Sequence, residues 1–486
     1  MNAPASFSAP PPALVVISGG PAHASAALTG QAHEPAFQRL LKSLPQARRV
    51  LELGCGQGDL AKAYKAQYPE VHWVGVDQDA HALRKASLHM NDVLFLDLGK
   101  ASIQTLQSRF DLIVVNRLEL LPQAATVLSE LGALLTPGGA MFVLAENHAC
   151  LSAISRLIEA DVSTGVAATP GDADSVERGH PRWQSPSTIY KMLMDAGWMP
   201  TLVDNEPDAR HDDRLAAATR YMGEALGVPH GCADRVHRMK HLVIRTQRTF
   251  DTPAAHSDQA LFDVVVPTTK EQQLRVNVEQ SPGLKEVQAR IISYRHAATP
   301  AEALNESLQH VQSDWVLLCH QDIYFPKSFG ERLNAVLAAI PAEERASTLL
   351  GFVGMGVNRQ TEQAEPAGFV IDRLNWADHA ASEAVVSIDE LALVVARDSI
   401  HKIDPLIGWH LWATDLCLTS ICTHRVFPRI VRLPIFHNTQ SGWQLPAAFA
   451  DSAQYLLQKH GAFNTIHTLC GVIDQGFVAR QRSAQA

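Results

Sequence analysis

The chain has 486 residues, 46% hydrophobic and 19% charged, a balance that supports a full apolar core and leaves room for two or three domains. A formal net charge of −9 argues against nucleic acid or an anionic membrane surface as the main partner, since both attract basic chains. Seven cysteines lie scattered without a C-x-x-C pair and read as reduced thiols of a cytosolic protein.

Residues 1–30 are rich in Ala, Pro, Ser and Gly and read as a flexible segment with a short strand at 14–17. They have neither the basic start nor the apolar core of a signal peptide, and no run approaches the ~18 apolar residues that span a bilayer. A helical pattern at 35–44 leads into a strand at 49–53. Helices are then expected at 60–67, 81–89, 103–109 and 122–135, and strands at 71–76, 93–96, 111–115 and 139–145. Strands alternating with helices over this length predict an α/β fold with a parallel, doubly wound sheet. Residues 148–187 are the least regular, with an apolar helix at 151–158 and the phrase GHPRWQSPS. A helix at 188–196 and strands at 200–203 and 242–245 complete a first domain over 31–248. The polar stretch 249–260 reads as a linker.

A second domain over 261–486 restarts the pattern. Strands are expected at 262–266, 290–293, 315–319, 352–356, 385–388, 391–395 and 431–436, and helices at 300–310, 329–339, 414–423 and 449–460. No internal repeat relates the two halves.

In the first half, chemistry concentrates at 50–60, VLELGCGQGDL, a buried strand running through three glycines into a helix. Glycine permits the positive φ of such a turn and lets a ligand lie against the backbone. In a doubly wound sheet, ligands collect at the carboxyl ends of the strands, which here carry Glu52, Asp77, Asp97 and Asn116. A dinucleotide fold wants G-x-G-x-x-G, whereas this loop reads G-C-G-Q-G with an acid two residues before the first glycine.

The pattern resembles the class I S-adenosylmethionine-dependent methyltransferases, whose first motif is E-x-G-x-G-x-G. Glu52, Gly54, Gly56 and Gly58 match that motif, Asp77 the ribose-binding acid, and Asp97 the acid beside the adenine. LEL at 118–120 and LLTPGG at 134–139 match later blocks. GHPRWQSPSTIYKMLMDAGW also looks like a segment of methyltransferases from cell-surface glycan loci. The resemblance implies a Rossmann-like seven-stranded fold, S-adenosylmethionine as cofactor, and Asn116 among the cofactor contacts. An oxygen acceptor can need a base, and His148 and His180 are the candidates; either could equally be an ordinary loop histidine. Arg182 could hold an anionic acceptor or pair with a neighbouring carboxylate, and Trp183 reads as lid packing.

The second half centres on His320, Gln321 and Asp322, directly after the apolar WVLLC. A carboxylate at the end of a buried strand is costly unless paired or metal-bound, and hard oxygen ligands suit Mg²⁺ or Mn²⁺ beside a diphosphate. This half resembles the GT-A glycosyltransferases, specifically the family 2-like group with H-Q-D in place of D-x-D. FDVVVPT matches the opening nucleotide-binding strand, with Pro267 and Thr268 at its end, and ATPAEALNESL the helix facing the donor, with Asn305. The resemblance implies that Asp322 binds metal, that Asp415 is the catalytic base and that His437 lies on the metal side. It implies inversion by direct displacement from a nucleotide-sugar. Trp409 and His410 are acceptor-side candidates, although Trp409, Trp412 and Trp443 could equally be core. Asp415 could also be a first-turn helix acid and His437 a satisfied strand-end histidine. The usual V-D-D-x-S strand end is absent; ISYRHAATP stands there.

The expectation is a bifunctional methyltransferase and glycosyltransferase acting on one surface glycan or glycoconjugate. Its partners would be a nucleotide-sugar donor and a glycan, lipid-linked glycan or glycoprotein acceptor, with no nucleic acid. A cytoplasmic location, extending to peripheral association with the inner face of the membrane, fits these partners. The alternative is a glycosyltransferase carrying a non-catalytic, methyltransferase-like docking domain.

Overall fold

Buried apolar runs ending in polar residues build the first sheet, seven strands thick: β1 (Arg49–Leu53), β2 (His72–Asp77), β3 (Asp92–Phe95), β4 (Phe110–Val115), β5 (Leu135–Glu146), β6 (Trp198–Pro207) and β7 (Met239–Arg248). The structure is a computed structural model describing residues 35–106, 108–158, 184–208, 213–225, 236–248, 259–295, 297–358, 360–372, 375–379, 385–439 and 445–483. The expected strand at 14–17, the flexible segment 1–30 and most of the linker lie outside the described residues. The strand order is β3-β2-β1-β4-β5-β7-β6; the first five run parallel, and β7 inserts antiparallel between β5 and β6. The chain moves outward from β1 to β3 and returns beside β1 as β4. The strand order therefore reverses between β1 and β4, where a doubly wound sheet opens its ligand crevice.

Two expectations in this half are corrected, and one unannounced helix is added. The helix expected at 103–109 is one short turn, Ile103–Thr105. There the Ser102 hydroxyl accepts the Gln104 N–H and Glu130 accepts the Ile103 N–H, local bonds that compete with helix propagation. The strand expected at 139–145 begins earlier, as a long β5 from Leu135 that takes in the TPGG segment, with Gly138 at φ 78°. A helix at Asp213–Ala225 appears that no sequence pattern announced.

The second half holds a six-stranded sheet in the order β18-β12-β17-β10-β8-β9. Its strands are β8 (Phe262–Thr268), β9 (Ile291–Arg295), β10 (Trp315–Cys319), β12 (Leu349–Gly351), β17 (Ala392–Ala396) and β18 (Arg429–Ile430). Strands β9, β8 and β10 are parallel, and β17 joins β10 antiparallel. A second sheet runs β11-β19-β14-β13-β16, from β11 (Ile323–Tyr324), β13 (Val353–Val357), β14 (Ala364–Asp372), β16 (Val385–Ile388) and β19 (Phe436–His437), with β15 (Asn375–His379) on β14. The strand expected at 431–436 shrinks to Phe436–His437 because Pro434 has no N–H to give a ladder. The helix expected at 414–423 is Trp412–Thr419, continued by a wider turn at Ser420–His424.

The two halves share a core. The helix Pro186–Asp195 starts on a capping box of Ser185 and Thr188, with proline at its first turn. Its Ile189, Tyr190, Leu193 and Met194 pack in one apolar cluster with Tyr324, Phe369, Ile371 and Phe436 of the second half. Tyr190 meets Phe436 edge to face, ring centroids 6.1 Å apart. Each such buried side chain contributes about 1.5–3 kcal/mol. The polar edge is satisfied as well: Lys191 Nζ donates to Val276 O (2.6 Å) and Asn277 Oδ1 (2.9 Å), and the Ser187 hydroxyl to Asn438 Oδ1 (2.8 Å). Among the described residues, no helix is long and apolar enough to cross a membrane.

Candidate functional sites

The first site opens at the carboxyl ends of β1, β2 and β4. Gly54, Gly56 and Gly58 all take positive φ (72°, 51° and 86°), so the loop doubles back under the helix Asp59–Lys65. A Cβ on Gly54 would stand 2.8 Å from the Asn116 carbonyl oxygen, so only glycine lets the loop lie against β4. Asp77 latches the turn, accepting the Gly56 N–H (2.9 Å) on one oxygen and the Asp79 N–H (2.9 Å) on the other. Beside it lies a cavity of about 120 Å³ lined by Gly54, Asp77, Gln78, Leu96, Asn116 and Arg117, among others.

Other predicted residues stand elsewhere. Glu52 is fully buried beneath the loop, accepting the Trp73 indole N–H (3.0 Å), and does not line the cavity. Burial raises its pKa to about 8, and Asp77 and Asp59 push in the same direction against the Trp73 bond. Asp97 turns away to cap Gly99 N–H (3.0 Å) and pair with Lys100 (3.0 Å), while its neighbours Leu96 and Leu98 face the cavity. His148 Nδ1 accepts the Gln184 N–H (3.0 Å), and Nε2 lies 3.9 Å from Glu146. The ring thus ties the end of β5 to the start of the docking helix, with its accepting lone pair spent, which argues against a role as base. His180, Arg182 and Trp183 lie outside the described residues. Arg117 was not singled out by sequence; its left-handed φ of 63°, straight after the β4 strand end, is visible only in the fold.

In the second half, Gln321 fastens the loop after β8: its Oε1 accepts the N–H groups of Thr269 (2.9 Å) and Lys270 (2.7 Å). His320 continues β10, its N–H donating to Leu391 O (2.9 Å). The pairing of β11 with β19 sets Ile323 opposite His437, and Asn438 N–H donates to Asp322 O (2.9 Å). His437 Nε2 stands 3.5 Å from Asp322 Oδ1, and its Nδ1 3.5 Å from Asp372 Oδ1. Burial disfavours charge on His437, but Asp322, Asp372 and Asp389 outweigh it and raise its pKa. Burial likewise works against the Asp322 carboxylate, and the two histidines overcome it and hold its pKa low.

One ligand atom each from His320, Asp322 and His437 lies within 4.8 Å of the others, a spacing able to hold a cation. Two imidazoles and one carboxylate suit Mn²⁺ or a similar borderline ion better than Mg²⁺, which asks for oxygen ligands. Two cavities meet here. One of about 370 Å³ is lined by Pro267, Thr269, Gln321, Asp322, Trp409 and Trp412, among others. One of about 900 Å³ includes Asp372, Asp389, Thr414 and His437. His320, Glu390 and His410 line both.

Three residues expected at this site are not gathered there. Thr268 is buried, its hydroxyl donating to Val266 O, and its neighbour Thr269 lines the cavity instead. Asn305 tethers its helix to Ile403 O (2.9 Å). Asp415 lines neither cavity; it is 1% exposed, with His460 Nε2 on one oxygen and Lys459 Nζ on the other, both at 2.8 Å. A base needs a free oxygen facing its acceptor, so this geometry speaks against that role for Asp415. Sequence patterns passed over Asp372, Asp389 and Glu390. The available signal for the last two was an adjacent acid pair breaking the apolar run 385–396.

Residues 50–139 match the family model described as a methyltransferase domain. The trans-aconitate 2-methyltransferase of Methylobacterium radiotolerans is 31% identical over 165 residues, 33% of this chain and 62% of that protein. The one from Deinococcus radiodurans is 34% identical over 114 residues, 23% of this chain and 43% of that protein. The chain therefore spans less than two thirds of the length of either curated relative. Among solved structures, the plantazolicin methyltransferase BpumL in complex with SAH aligns at 13% identity and a TM-score of 0.29, covering 44% of this chain and 86% of that one. The N-terminal region carries a methyltransferase domain of Rossmann-like α/β fold.

Proposed function

We propose that the protein is a two-headed transferase: an S-adenosylmethionine-dependent methyltransferase fused to an inverting, nucleotide-sugar-dependent glycosyltransferase. Both heads would act on one glycan, lipid-linked glycan or glycoprotein in the cytoplasm or at the inner face of the membrane.

For the first head, the supporting observation is the Asp77-latched glycine loop at the β1/β4 reversal, inside the family match. Asp77 and the loop amides would hold the ribose and carboxylate ends of the methyl donor. Methyl transfer is in-line displacement at a sulfonium carbon, so positioning supplies much of the rate. The relatives are named for trans-aconitate; the acceptor proposed here is instead a glycan hydroxyl, because of the second head.

For the second head, the supporting observation is the His320, Asp322 and His437 cluster beside the parallel β9-β8-β10 half-sheet. A divalent cation held there would neutralise charge developing on the departing diphosphate. Gln321 shapes the loop under the donor and Pro267 and Trp409 wall it. The shared core between the halves supports a second reading, in which the first domain only docks and holds the second.

Calorimetry with S-adenosylmethionine and nucleoside diphosphates tests both heads. Binding of both ligands, weakened respectively by Asp77→Ala and Asp322→Asn, is the expected result. Failure of the wild type to bind S-adenosylmethionine would leave the docking reading.

A further inference from the structure

Two of the three candidate cation ligands depend on very short strands. His437 ends β19, two residues long, which pairs with the two residues of β11 and with the end of β14. Asp322 stands just before β11. Strands this short contribute few ladder bonds, so the spacing of His437 from Asp322 needs another anchor. Asn438, buried and directly after His437, supplies it. Its backbone N–H donates to Asp322 O (2.9 Å), tying the two ligand-bearing segments together. Its side-chain amide is held at both ends. Oδ1 accepts the hydroxyl of Ser187 (2.8 Å), in the first turn of the docking helix, and Nδ2 donates to Asn277 Oδ1 (3.0 Å). Asn277 is fully buried, and its Oδ1 also accepts Lys191 Nζ (2.9 Å), one turn along the same helix face from Ser187. The Asn277 carbonyl accepts the Ser281 hydroxyl (2.9 Å), and that oxygen in turn accepts Phe325 N–H (2.9 Å), directly after β11. One hydrogen-bonded network therefore runs from the docking helix of the first half to the backbone beside both Asp322 and His437. Apolar contact between the halves is non-directional, whereas a satisfied buried network specifies one arrangement.

We propose that Asn438 is the positioning residue of the His320, Asp322 and His437 cluster, and that the docking helix sets it through Ser187 and, by way of Asn277, through Lys191; this role rests on the cation reading of that cluster. Without the bonds to its amide, the segment after β19 is free to shift, and His437 moves against Asp322. The first half of the chain thus belongs to the cation site of the second, whether or not it also transfers methyl groups.

The test uses the full-length chain with Mn²⁺ alone as the probe, at a temperature well below melting. Calorimetry reads the affinity, electron paramagnetic resonance reads the surroundings of the bound ion, and melting temperatures are recorded without metal. Asn438→Ala is expected to weaken Mn²⁺ binding about 10–100-fold, the usual effect of losing an outer partner of a metal site, and to change the shape of the bound-ion spectrum. Ser187→Ala removes one bond to the Asn438 amide from the far side of the seam and should weaken binding less. Ser187→Thr restores the hydroxyl and should return both affinity and spectrum to those of the wild type. A role confined to stability predicts lower melting temperatures with wild-type affinity and spectrum, and that result overturns the assignment. If Asn438→Ala does not fold, the Ser187 pair decides, and Ser187→Ala binding Mn²⁺ as the wild type does overturns it. A wild type that binds no Mn²⁺ overturns the cation reading itself, and the positioning role with it.

Discussion

Tyr324 donates its phenolic hydrogen to Asp195 Oδ2 at 2.6 Å, joining the second half of the chain to the last turn of the docking helix of the first. Tyr324 follows Asp322 by two residues and pairs with Phe436, next to His437. The same strands therefore carry the candidate metal ligands and the seam between the halves. Tyr324→Phe leaves the half-buried Asp195 carboxylate, among the described residues, with the long Lys327 N–H contact at 3.4 Å as its remaining hydrogen bond. The expected cost is about 1–3 kcal/mol. Because the apolar cluster is common to both halves, one cooperative melting transition should shift as a whole; separation into two transitions would show that the halves unfold independently.

Asp77→Ala removes the acceptor for Gly56 N–H and Asp79 N–H along with a cavity-lining carboxylate. S-adenosylmethionine affinity should fall at least about tenfold, the factor that about 1.4 kcal/mol represents, by calorimetry. Gly54→Ala should be worse, since its Cβ meets a carbonyl oxygen at 2.8 Å in a left-handed backbone; the melting temperature would register the strain.

Glu52 gives the first domain a pH dependence. Its pKa is near 8 in the folded chain against 4.5 for the free group. The stability linked to its bound proton is fully present below the unfolded value. It is lost as pH rises through the folded value, because the buried carboxylate resists ionising. Between pH 5 and 8 the loss is on the order of a few kcal/mol. Glu52→Gln cannot ionise, so its stability relative to wild type should improve between pH 5.5 and 8.5 in denaturant titrations. A constant difference across that range would refute the account.

Mn²⁺ should raise the melting temperature of the wild type through His320, Asp322 and His437, and Asp322→Asn should abolish the rise. Mg²⁺ at equal concentration should act more weakly, given two imidazole ligands. An unchanged response in the variant would place the ion elsewhere.

Local pattern alone determined much of this protein. The alternation of apolar runs with helical periodicity specifies doubly wound sheets, since strands buried on both faces need continuous apolar sequence. The glycines of 50–60 announce their loop because only glycine accepts those φ values against a packed strand. Asp77, Asn116, His320, Asp322 and His437 were legible because each ends a strand or stands within a few residues of a strand end, and strand ends converge whatever the rest of the chain does. Side-chain direction and long-range partners were decided only in three dimensions. Glu52 and Asp97 fit the motif but are claimed by Trp73 and Lys100; Asp415 fits its motif but is claimed by a helix more than forty residues on. Glu390 carried no motif and reached the cavities through the register of β17 on β10. A carboxylate's role depends on which cations, amides and water surround it, and those neighbours come from distant segments that only packing brings together.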